Sequence, residues 1–270
     1  MQTQANAVST RLIPLSEDSR LSLALPRELR VMAGETHVWD EVTVIARGER
    51  RVISLDVQLE AGAVGQMTRI FEVPEGARLH IFHQVQLEAG ASWQNALCIR
   101  GSGEVTIRRA IKVSGNGARV ALACAAVMDK KSHISVADEV FVESPNVQAK
   151  VDTKIVLKQA AKSEVRARQV VGHEARGSLA YERVGHLLLS PQAVAACIPE
   201  LEVKTDEVEC GHAATFSEPD EAEIFYLMSR GLIREVALGV VARGFVNAAL
   251  SAVTEPWREK ASQVLFADYV

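Results

Sequence analysis

Glycine recurs at a nearly fixed interval in the middle of the chain, and this interval restricts the folds that are open to the sequence. Gly62, Gly76 and Gly90 are spaced by fourteen residues, and the series continues approximately through Gly103 and Gly117. Glycine adopts the positive φ angles of tight corners at little cost. A repeat with a fixed period is typical of a solenoid, in which each coil packs against the coil before it.

The segments between these glycines alternate as β-strands do. In the longest alternating run, from Val147 to Leu157, mostly apolar residues occupy every second position. Because successive side chains of a strand point to opposite faces, this run predicts one face toward a core and one toward water. We find about twelve segments of this kind between residues 30 and 205, and no helical period longer than a turn.

These observations predict an all-β solenoid. Each unit is expected to contain one strand of about five to seven residues and one glycine corner, so that two units make one coil. A β-sandwich is disfavoured because its strands follow one another at irregular intervals.

The pattern becomes helical after residue 216. Ser217 is followed by Pro219 and Asp220, which predicts an N-cap with a proline in the first turn. We expect a first helix from Asp220 to Arg230 that ends at Gly231. The residues that this helix is expected to bury are Ile224, Leu227 and Met228.

A second helix is predicted from an apolar stripe that ends before Pro256. Two amphipathic helices cannot bury themselves alone, so we expect them to pack on the open end of the solenoid, on each other or on a partner. The chain is thus divided into an N-terminal arm (1–25), a β-helix core (26–216) and a C-terminal helical segment (217–270). The stripe comprises Ile233, Val236, Ala237, Val240, Val241, Phe245, Ala248 and Ala249.

Charge and composition exclude several classes of function. Lys and Arg together number 30 against 34 Asp and Glu, which leaves no basic field to attract nucleic acid or anionic lipid. No apolar run suggests a signal peptide or a membrane span, and no P-loop is present, so we expect no membrane and no bound nucleotide. Four scattered cysteines are too few for a disulfide framework, which predicts a reducing cytoplasm.

One short string carries ligand chemistry. In Cys210-Gly211-His212 a thiol and an imidazole lie two residues apart, on the same side of a strand, and together suit a soft metal or cluster iron. Two ligands do not complete a site, so others must come from another chain. On spacing alone, the simpler interpretation is that Cys210 is a small buried residue and that His212 is a hydrogen-bonded turn residue. Cys98 and Cys124 lie in apolar strands and are predicted to pack in the core, whereas Cys197 stays undecided.

Three strings in the C-terminal third resemble the SufB/SufD family of iron–sulfur cluster assembly proteins. They are Pro199-Glu200-Leu201-Glu202-Val203, the segment from Asp206 to Thr215 around the Cys-x-His pair, and the segment from Ile224 to Leu232. Their order and spacing match the family pattern, which closes with a Gly-Phe pair, here Gly244-Phe245. Gly211 and Ala213 depart from the family's serine and glycine.

The resemblance implies a right-handed parallel β-helix followed by a short helical segment. In this family the C-terminal helices dock an ABC-type ATPase, SufC, and the last strands pair with a second SufB or SufD subunit. A cysteine that SufB-type chains carry just before the Leu187-Leu188-Leu189 segment is missing here, so the resemblance is to SufD-like members. By position, His212 then inherits a place at the subunit interface where a nascent cluster forms, and Cys210 accompanies it.

The leading hypothesis is therefore a non-catalytic scaffold subunit that holds a transient iron–sulfur cluster and pairs with a SufB-like chain or with itself. A metal-free interaction solenoid is the alternative. A β-helix enzyme acting on polysaccharide has little support, because the water-facing side of the long strand offers one carboxylate and aromatic residues make up 5% of the chain. The residues expected to bind the ATPase are Phe225, Tyr226, Arg230, Val241 and Phe245.

Overall fold

The computed structural model describes residues 22–23, 27–251 and 253–269. The predicted N-terminal arm (1–25) lies outside the described residues except for Ser22–Leu23. Within the described part, the chain forms a series of strands followed by three α-helices and a short 3₁₀ helix at Ala267–Tyr269. The strands are β1 (Ser22–Leu23), β2 (Arg27–Val31), β3 (Thr36–Val44), β4 (Arg50–Leu59), β5 (Val64–Val73), β6 (Arg78–Leu87), β7 (Ser92–Gly101), β8 (Glu104–Val113), β9 (Arg119–Met128), β10 (His133–Val142), β11 (Gln148–Leu157), β12 (Lys162–Val171), β13 (Leu179–Leu188), β14 (Val194–Val203) and β15 (Glu209–Ser217); the helices are α1 (Glu221–Ser229), α2 (Arg234–Leu250) and α3 (Trp257–Leu265).

The strands form a two-sheet parallel solenoid, which confirms the predicted fold class. From β3 onward, odd-numbered strands make one sheet and even-numbered strands make the other, to which β1 and β2 also pair. Ile53 of β4 is in register with Ile81 of β6, which lies 28 residues further along the chain. Two fourteen-residue units therefore make one coil, as the glycine spacing predicts.

The corners are tighter and the strands longer than the sequence suggested. Each strand from β4 to β14 has 10 residues rather than five to seven. Gly62, Gly76 and Gly90 have φ angles of 71°, 80° and 66°. The N–H of Gly62 donates to the carbonyl of Ala89 at 2.8 Å, so that successive corners also stack by hydrogen bonds. A corner built in this way needs few residues, which leaves more of each unit for its strand.

Inward-facing side chains form two apolar clusters along the solenoid. One includes Val85 and Ile111, and the other includes Ile81 and Ile107, each of which lies four residues earlier on the same strand. Between the two clusters runs a strip of buried polar side chains, which we call the polar strip. It consists of His83, Asn95, Arg109, Asp138 and Glu182.

An ion pair lies at the centre of the polar strip. The Nε and Nη2 atoms of Arg109 each donate to a carboxylate oxygen of Asp138 at 2.7 Å, and Nη1 donates to the side-chain oxygen of Asn95 at 3.2 Å. Arg109 and Asp138 are 1% and 2% exposed, respectively. Burial opposes the charge of Arg109, but the adjacent carboxylate raises its pKa above the usual value. Adjacent coils are therefore joined through a fully buried, bidentate contact.

The helices cover part of the outer face of the odd-numbered sheet. α2 lies over β9 and β11, and α3 lies over β5 and β7. Ala123, Ala125 and Cys98 contribute to the sheet side of this contact. Of the three packing modes expected from the sequence, packing at the open end is corrected, since α2 and α3 lie along the flank of the solenoid. The helices also pack on each other, through contacts between α1 and α2 and between α2 and α3. Packing on a partner stays a prediction. No helix in the described ranges is long and apolar enough to cross a membrane.

Four details of the helical prediction are wrong. Asp220, not Ser217, caps α1 by accepting a hydrogen bond from the N–H of Ala222 at 2.8 Å, because Ser217 still belongs to β15. Of the residues expected to be buried in α1, only Ile224 is fully buried and Met228 is exposed. The predicted pair of helices is followed by α3. The buried residues of α2 are Ala237, Gly239, Ala242, Val246, Ala249 and Leu250, of which only Ala237 and Ala249 belong to the predicted stripe.

Candidate functional site at the open end of the solenoid

The solenoid ends in two strands that each have a neighbour on one side. β14 is the last strand of the even-numbered sheet and β15 is the last strand of the odd-numbered sheet. No strand of the described residues pairs with their outer edges. We call these two edges and the interior positions next to them the open end. Unpaired backbone groups make such an edge a natural surface for another strand.

Cys210 and His212 lie on the same inward-facing side of β15. Their Cα partners on β13 are Ala180 and Glu182, both of which point into the solenoid. Cys210 is partly buried and packs against the apolar interior, whereas His212 is exposed. Burial raises the pKa of the Cys210 thiol, although a backbone hydrogen bond with Ala180 acts in the opposite direction. The structure thus places the predicted ligand pair at the open end.

Glu182 lies one strand further inside, next to His212 in register. It is 2% exposed, and its Oε1 atom is buried without a hydrogen-bond partner. Burial, together with the negative charge of Asp138, raises the pKa of Glu182 to about 7. Sequence reasoning missed this residue. The available signal was its phase, because Glu182 occupies an inward position between Ala180 and Val184 in an alternating strand.

Cys197, which the sequence left undecided, also faces the interior near the open end. It lies on β14 and is partly buried. Burial and the nearby Glu182 carboxylate raise the pKa of Cys197 to about 11. The thiol is therefore an electrostatic neighbour of Glu182.

His186 and Phe216 are another pair of residues in register on β13 and β15 at the open end. Their rings stack with centroids 5.1 Å apart and an interplanar angle of 4°. His186 is fully buried, and its Nε2 lies 3.1 Å from the hydroxyl of Ser163. Burial, with the positive charge of Lys154, lowers the pKa of His186 to about 4. Phe216, in contrast, is about half exposed at the edge.

The open end does not by itself complete a metal site. Within the part of the chain that the structure describes, no group of three or more His, Cys, Asp or Glu side chains is arranged to hold a metal ion. The other two cysteines are remote from this chemistry. Cys98 and Cys124 are buried in the core, as predicted, and burial raises the pKa of both thiols, that of Cys124 to about 12.

The residues expected to bind an ATPase separate into two groups. Phe225 and Tyr226 on α1 are 74% and 57% exposed, and the guanidinium of Arg230 lies 5.3 Å from the Tyr226 ring centroid. Val241 and Phe245 on α2 are partly buried and pack against the cluster between helices and sheet. Within the described chain, the first group presents aromatic surface to solvent and the second contributes to internal packing.

A groove of about 800 Å³ lies between α1, α2 and the end of β15. Apolar side chains from both helices line it, and Tyr226 and Phe245 stand at its walls. Arg234 forms an ion pair with Glu221 at 2.5 Å, which ties the start of α2 to the start of α1. Tyr226 therefore belongs both to the exposed aromatic surface of α1 and to the wall of the groove.

Comparison with known proteins points to one family. The family model described as SUF system FeS cluster assembly, SufBD core domain, matches residues 33–245. An iron–sulfur cluster assembly SufBD family protein of Mycobacterium bovis is 28% identical over 138 residues, which are 51% of this chain and 16% of the relative. The iron–sulfur cluster assembly protein SufB of Bacillus subtilis is 28% identical over 135 residues, 50% of this chain and 29% of SufB.

A SufBD family protein of Archaeoglobus fulgidus shows a shorter match, with 40% identity over 73 residues. These residues are 27% of this chain and 20% of that relative. The matched part of the chain therefore spans less than a third of each of these relatives. The family-model match includes the open end, the Cys-x-His pair and α1.

Proposed function

The chain belongs to the SufBD core family of the SUF iron–sulfur cluster assembly system, and from this we propose that it is a non-catalytic scaffold subunit. It supports a transient iron–sulfur cluster at the open end of its solenoid. The observation that carries this proposal is the shared inward side of Cys210 and His212 at an unpaired strand edge. Imidazole nitrogen and thiolate sulfur are both ligands of protein-bound iron.

The cluster is cargo of an assembly rather than of this chain alone. Two residues on one strand leave coordination positions open, and the edges of β14 and β15 can accept strands from a second subunit. That subunit is a SufB-like chain or a second copy of this one. A relative named SufB is among the matches, so the assignment of this chain as SufD-like stays a prediction.

The second partner is a SufC-like ABC ATPase, which would supply the P-loop that the sequence does not contain. Phe225, Tyr226 and Arg230 on α1, with the adjacent groove, are the surface for it. Exposed aromatic and arginine side chains are typical anchors of protein interfaces. Val241 and Phe245 pack between α2 and the sheet, beneath this surface.

The cytoplasm is the proposed location. All four cysteines are free thiols. Free thiols and oxygen-sensitive cluster chemistry both suit a reducing compartment.

The decisive experiment is anaerobic reconstitution of the chain together with SufC-like and SufB-like subunits, followed by iron and sulfide analysis. The assembled complex is expected to carry iron and sulfide that depend on His212. A complex that assembles with its full complement of subunits but carries no iron in any preparation would favour the metal-free interaction solenoid instead. The incomplete ligand set within the described residues is the observation that keeps this second function under test.

A further inference from the structure

A trough lies on the outer face of the odd-numbered sheet, in the part that the helices leave uncovered. On β9, Ala123 and Ala125 are buried in the contact with the helices, whereas Ala121, two residues before Ala123 on the same face, is partly exposed. The trough is lined by the first halves of β7, β9, β11 and β13. Its volume is about 560 Å³, which lies within the range of small-molecule binding sites.

Every charged side chain of the described residues that lines the trough is cationic, although the chain as a whole has a formal net charge of -4. One of these cations, Arg183, forms an ion pair with Asp152 at 2.9 Å. The other two, Arg119 and Lys150, are exposed, and no carboxylate of the described residues pairs with either of them. Two positive charges in the trough are therefore available to a ligand.

The register of the sheet places these two cations side by side. Arg119 is the Cα partner of Gln148, and Lys150 follows Gln148 by two residues on β11. Both cations face outward, because the residues next to them, Val120 and Ala149, are buried. The spacings between strands and along a strand put the two Cα atoms about 8 Å apart. Side chains as long as arginine and lysine can contact one phosphate group from that separation.

An apolar surface adjoins the two cations. Tyr181 is the Cα partner of Lys150 on β13 and is 45% exposed, and Leu179 on the same strand is 37% exposed. The Tyr181 hydroxyl donates to a carboxylate oxygen of Glu209 at 3.2 Å, which fixes the position of the ring. On the other side, the Cα partner of Lys150 is Ala121, whose small side chain leaves space in the trough. A ligand bound by the cations therefore has room for an apolar group beside its charge.

We propose that the trough binds a small organic phosphate. The phosphate group lies between Arg119 and Lys150. The apolar body packs on Leu179 and Tyr181. A phosphate monoester carries a charge of about -1.5 to -2 at neutral pH, which matches the two available cations. The site goes beyond the proposed function, since it lies on the outer face of the sheet, whereas the Cys-x-His pair of β15 lies on the inward side.

The test is an NMR titration of the full chain with phenyl phosphate, in the oligomeric state in which the chain purifies. Inorganic phosphate and phenol are the matched ligands, because each lacks one half of phenyl phosphate. Phenyl phosphate is expected to bind at one site with a Kd of about 1 mM or tighter, and each half at least about tenfold more weakly. Because the two cations are exposed, the affinity for phenyl phosphate is expected to fall as the salt concentration rises.

Variants of the trough separate its charge from its shape. Arg119→Gln combined with Lys150→Gln is expected to weaken phenyl phosphate binding by about tenfold or more. Arg47→Gln combined with Lys131→Gln is the matched control with parent-like affinity, because it removes the same two charges from exposed corners outside the trough. Ala121→Leu fills the trough without a change of charge, and it is expected to weaken binding of phenyl phosphate but not of inorganic phosphate.

Thermal unfolding curves close to that of the parent show that the variants are folded. Equal losses of affinity in the trough and corner variants would reduce the effect to net charge and overturn the inference. Parent-like binding by both trough variants, no phenyl phosphate binding by the parent chain, or phenol binding as tight as that of phenyl phosphate would also overturn it. The iron and sulfide content of the reconstituted complex is measured separately, so failure of this site and failure of the proposed function are distinguishable.

Discussion

The ion pair of Arg109 and Asp138 connects two neighbouring coils where water cannot reach it. Asp138→Asn should lower the free energy of unfolding by about 3 to 5 kcal/mol, because it leaves the Arg109 charge buried and uncompensated. Asp152→Asn is the control, since its partner Arg183 is about half exposed, and it should cost less than about 1 kcal/mol. Urea unfolding of both variants measures the difference. Equal losses would show that burial of the pair has no special effect.

Buried histidines make the stability of the solenoid depend on pH. Burial, with the positive charges of Arg69 and Arg109, lowers the pKa of His83 from 6.5 to about 3. Between pH 6.5 and about pH 3, the imidazole of His83 is therefore protonated in the unfolded chain and neutral in the folded chain. The contribution of His83 is fully present above pH 6.5 and is lost as the pH falls toward about 3.

His83→Leu isolates this effect, because leucine fills the position without a titrating group. Between pH 6 and pH 4 the parent should lose up to about 1.4 kcal/mol per pH unit more than the variant. His186 contributes in the same direction in both proteins, and Glu182 contributes in the opposite direction over pH 4.5 to 7. Urea unfolding series at several pH values give the difference. Parallel curves would contradict a neutral buried His83.

Ligand residues and core cysteines should respond differently to alanine substitution. His212→Ala is expected to reduce the iron and sulfide content of the reconstituted complex severely, and Cys210→Ala to reduce it less. Cys98→Ala and Cys124→Ala should leave that content unchanged and lower stability by about 1 to 2 kcal/mol through lost packing. If the His212→Ala complex assembles and carries as much iron as the parent, the cluster site lies elsewhere.

For single residues, strand alternation in the sequence predicts which face of a strand a side chain lies on. It does not predict which residues of the two sheets come close to each other. It predicted the buried state of Cys98 and Cys124 and the shared face of Cys210 and His212. It did not reveal Glu182 or the position of Cys197, because pairing across coils of 26 to 32 residues is not visible in local spacing. A charged residue at an inward strand position was the one local indication.

Among the elements, the helical segment departs most from the sequence-based expectation. The apolar stripe of α2 was recognised, but its buried face is formed mainly by small residues such as Ala237, Ala242 and Ala249, which let the helix approach the sheet closely. α3 was missed because Pro256 was interpreted as an end. Proline is also favoured at helix starts, and here it directly precedes Trp257.

Substitution by aspartate should have different effects at the exposed Phe225 of α1 and at the packed Phe245 of α2. Phe225→Asp should leave stability unchanged and weaken binding of the SufC-like ATPase, since its ring faces solvent in the described chain. Phe245→Asp should instead lower the free energy of unfolding by about 2 to 4 kcal/mol, because it places a charge between helix and sheet. Pull-down assays and thermal unfolding distinguish the two. Loss of ATPase binding by a stably folded Phe245→Asp chain would assign that residue to the interface.

For the whole molecule, the glycine interval was enough to predict the architecture. Fourteen residues fit one 10-residue strand and one corner, and stacking requires every coil to repeat that length closely. Gly103 is an exception within the series. The positive φ falls on Gly101 at 154°, while a Cβ at Gly103 would lie 2.6 Å from the carbonyl oxygen of Ala77. Both glycines are thus required, one by conformation and one by close approach.

Two surfaces at different places on the solenoid should bind two different partners independently. Phe216 lies at the unpaired edge of β15, and Phe225 lies on α1, beyond the end of the strands. Phe216→Asp should prevent pairing with a second β-solenoid subunit by placing a charge where a dry edge contact forms, while ATPase binding persists. Phe225→Asp should show the reverse pattern. Size-exclusion chromatography with light scattering measures pairing, pull-down measures ATPase binding, and thermal unfolding checks that each variant is folded. If either folded variant loses both partners, or neither, the two surfaces are not independent and the assignment of the open end to subunit pairing is wrong.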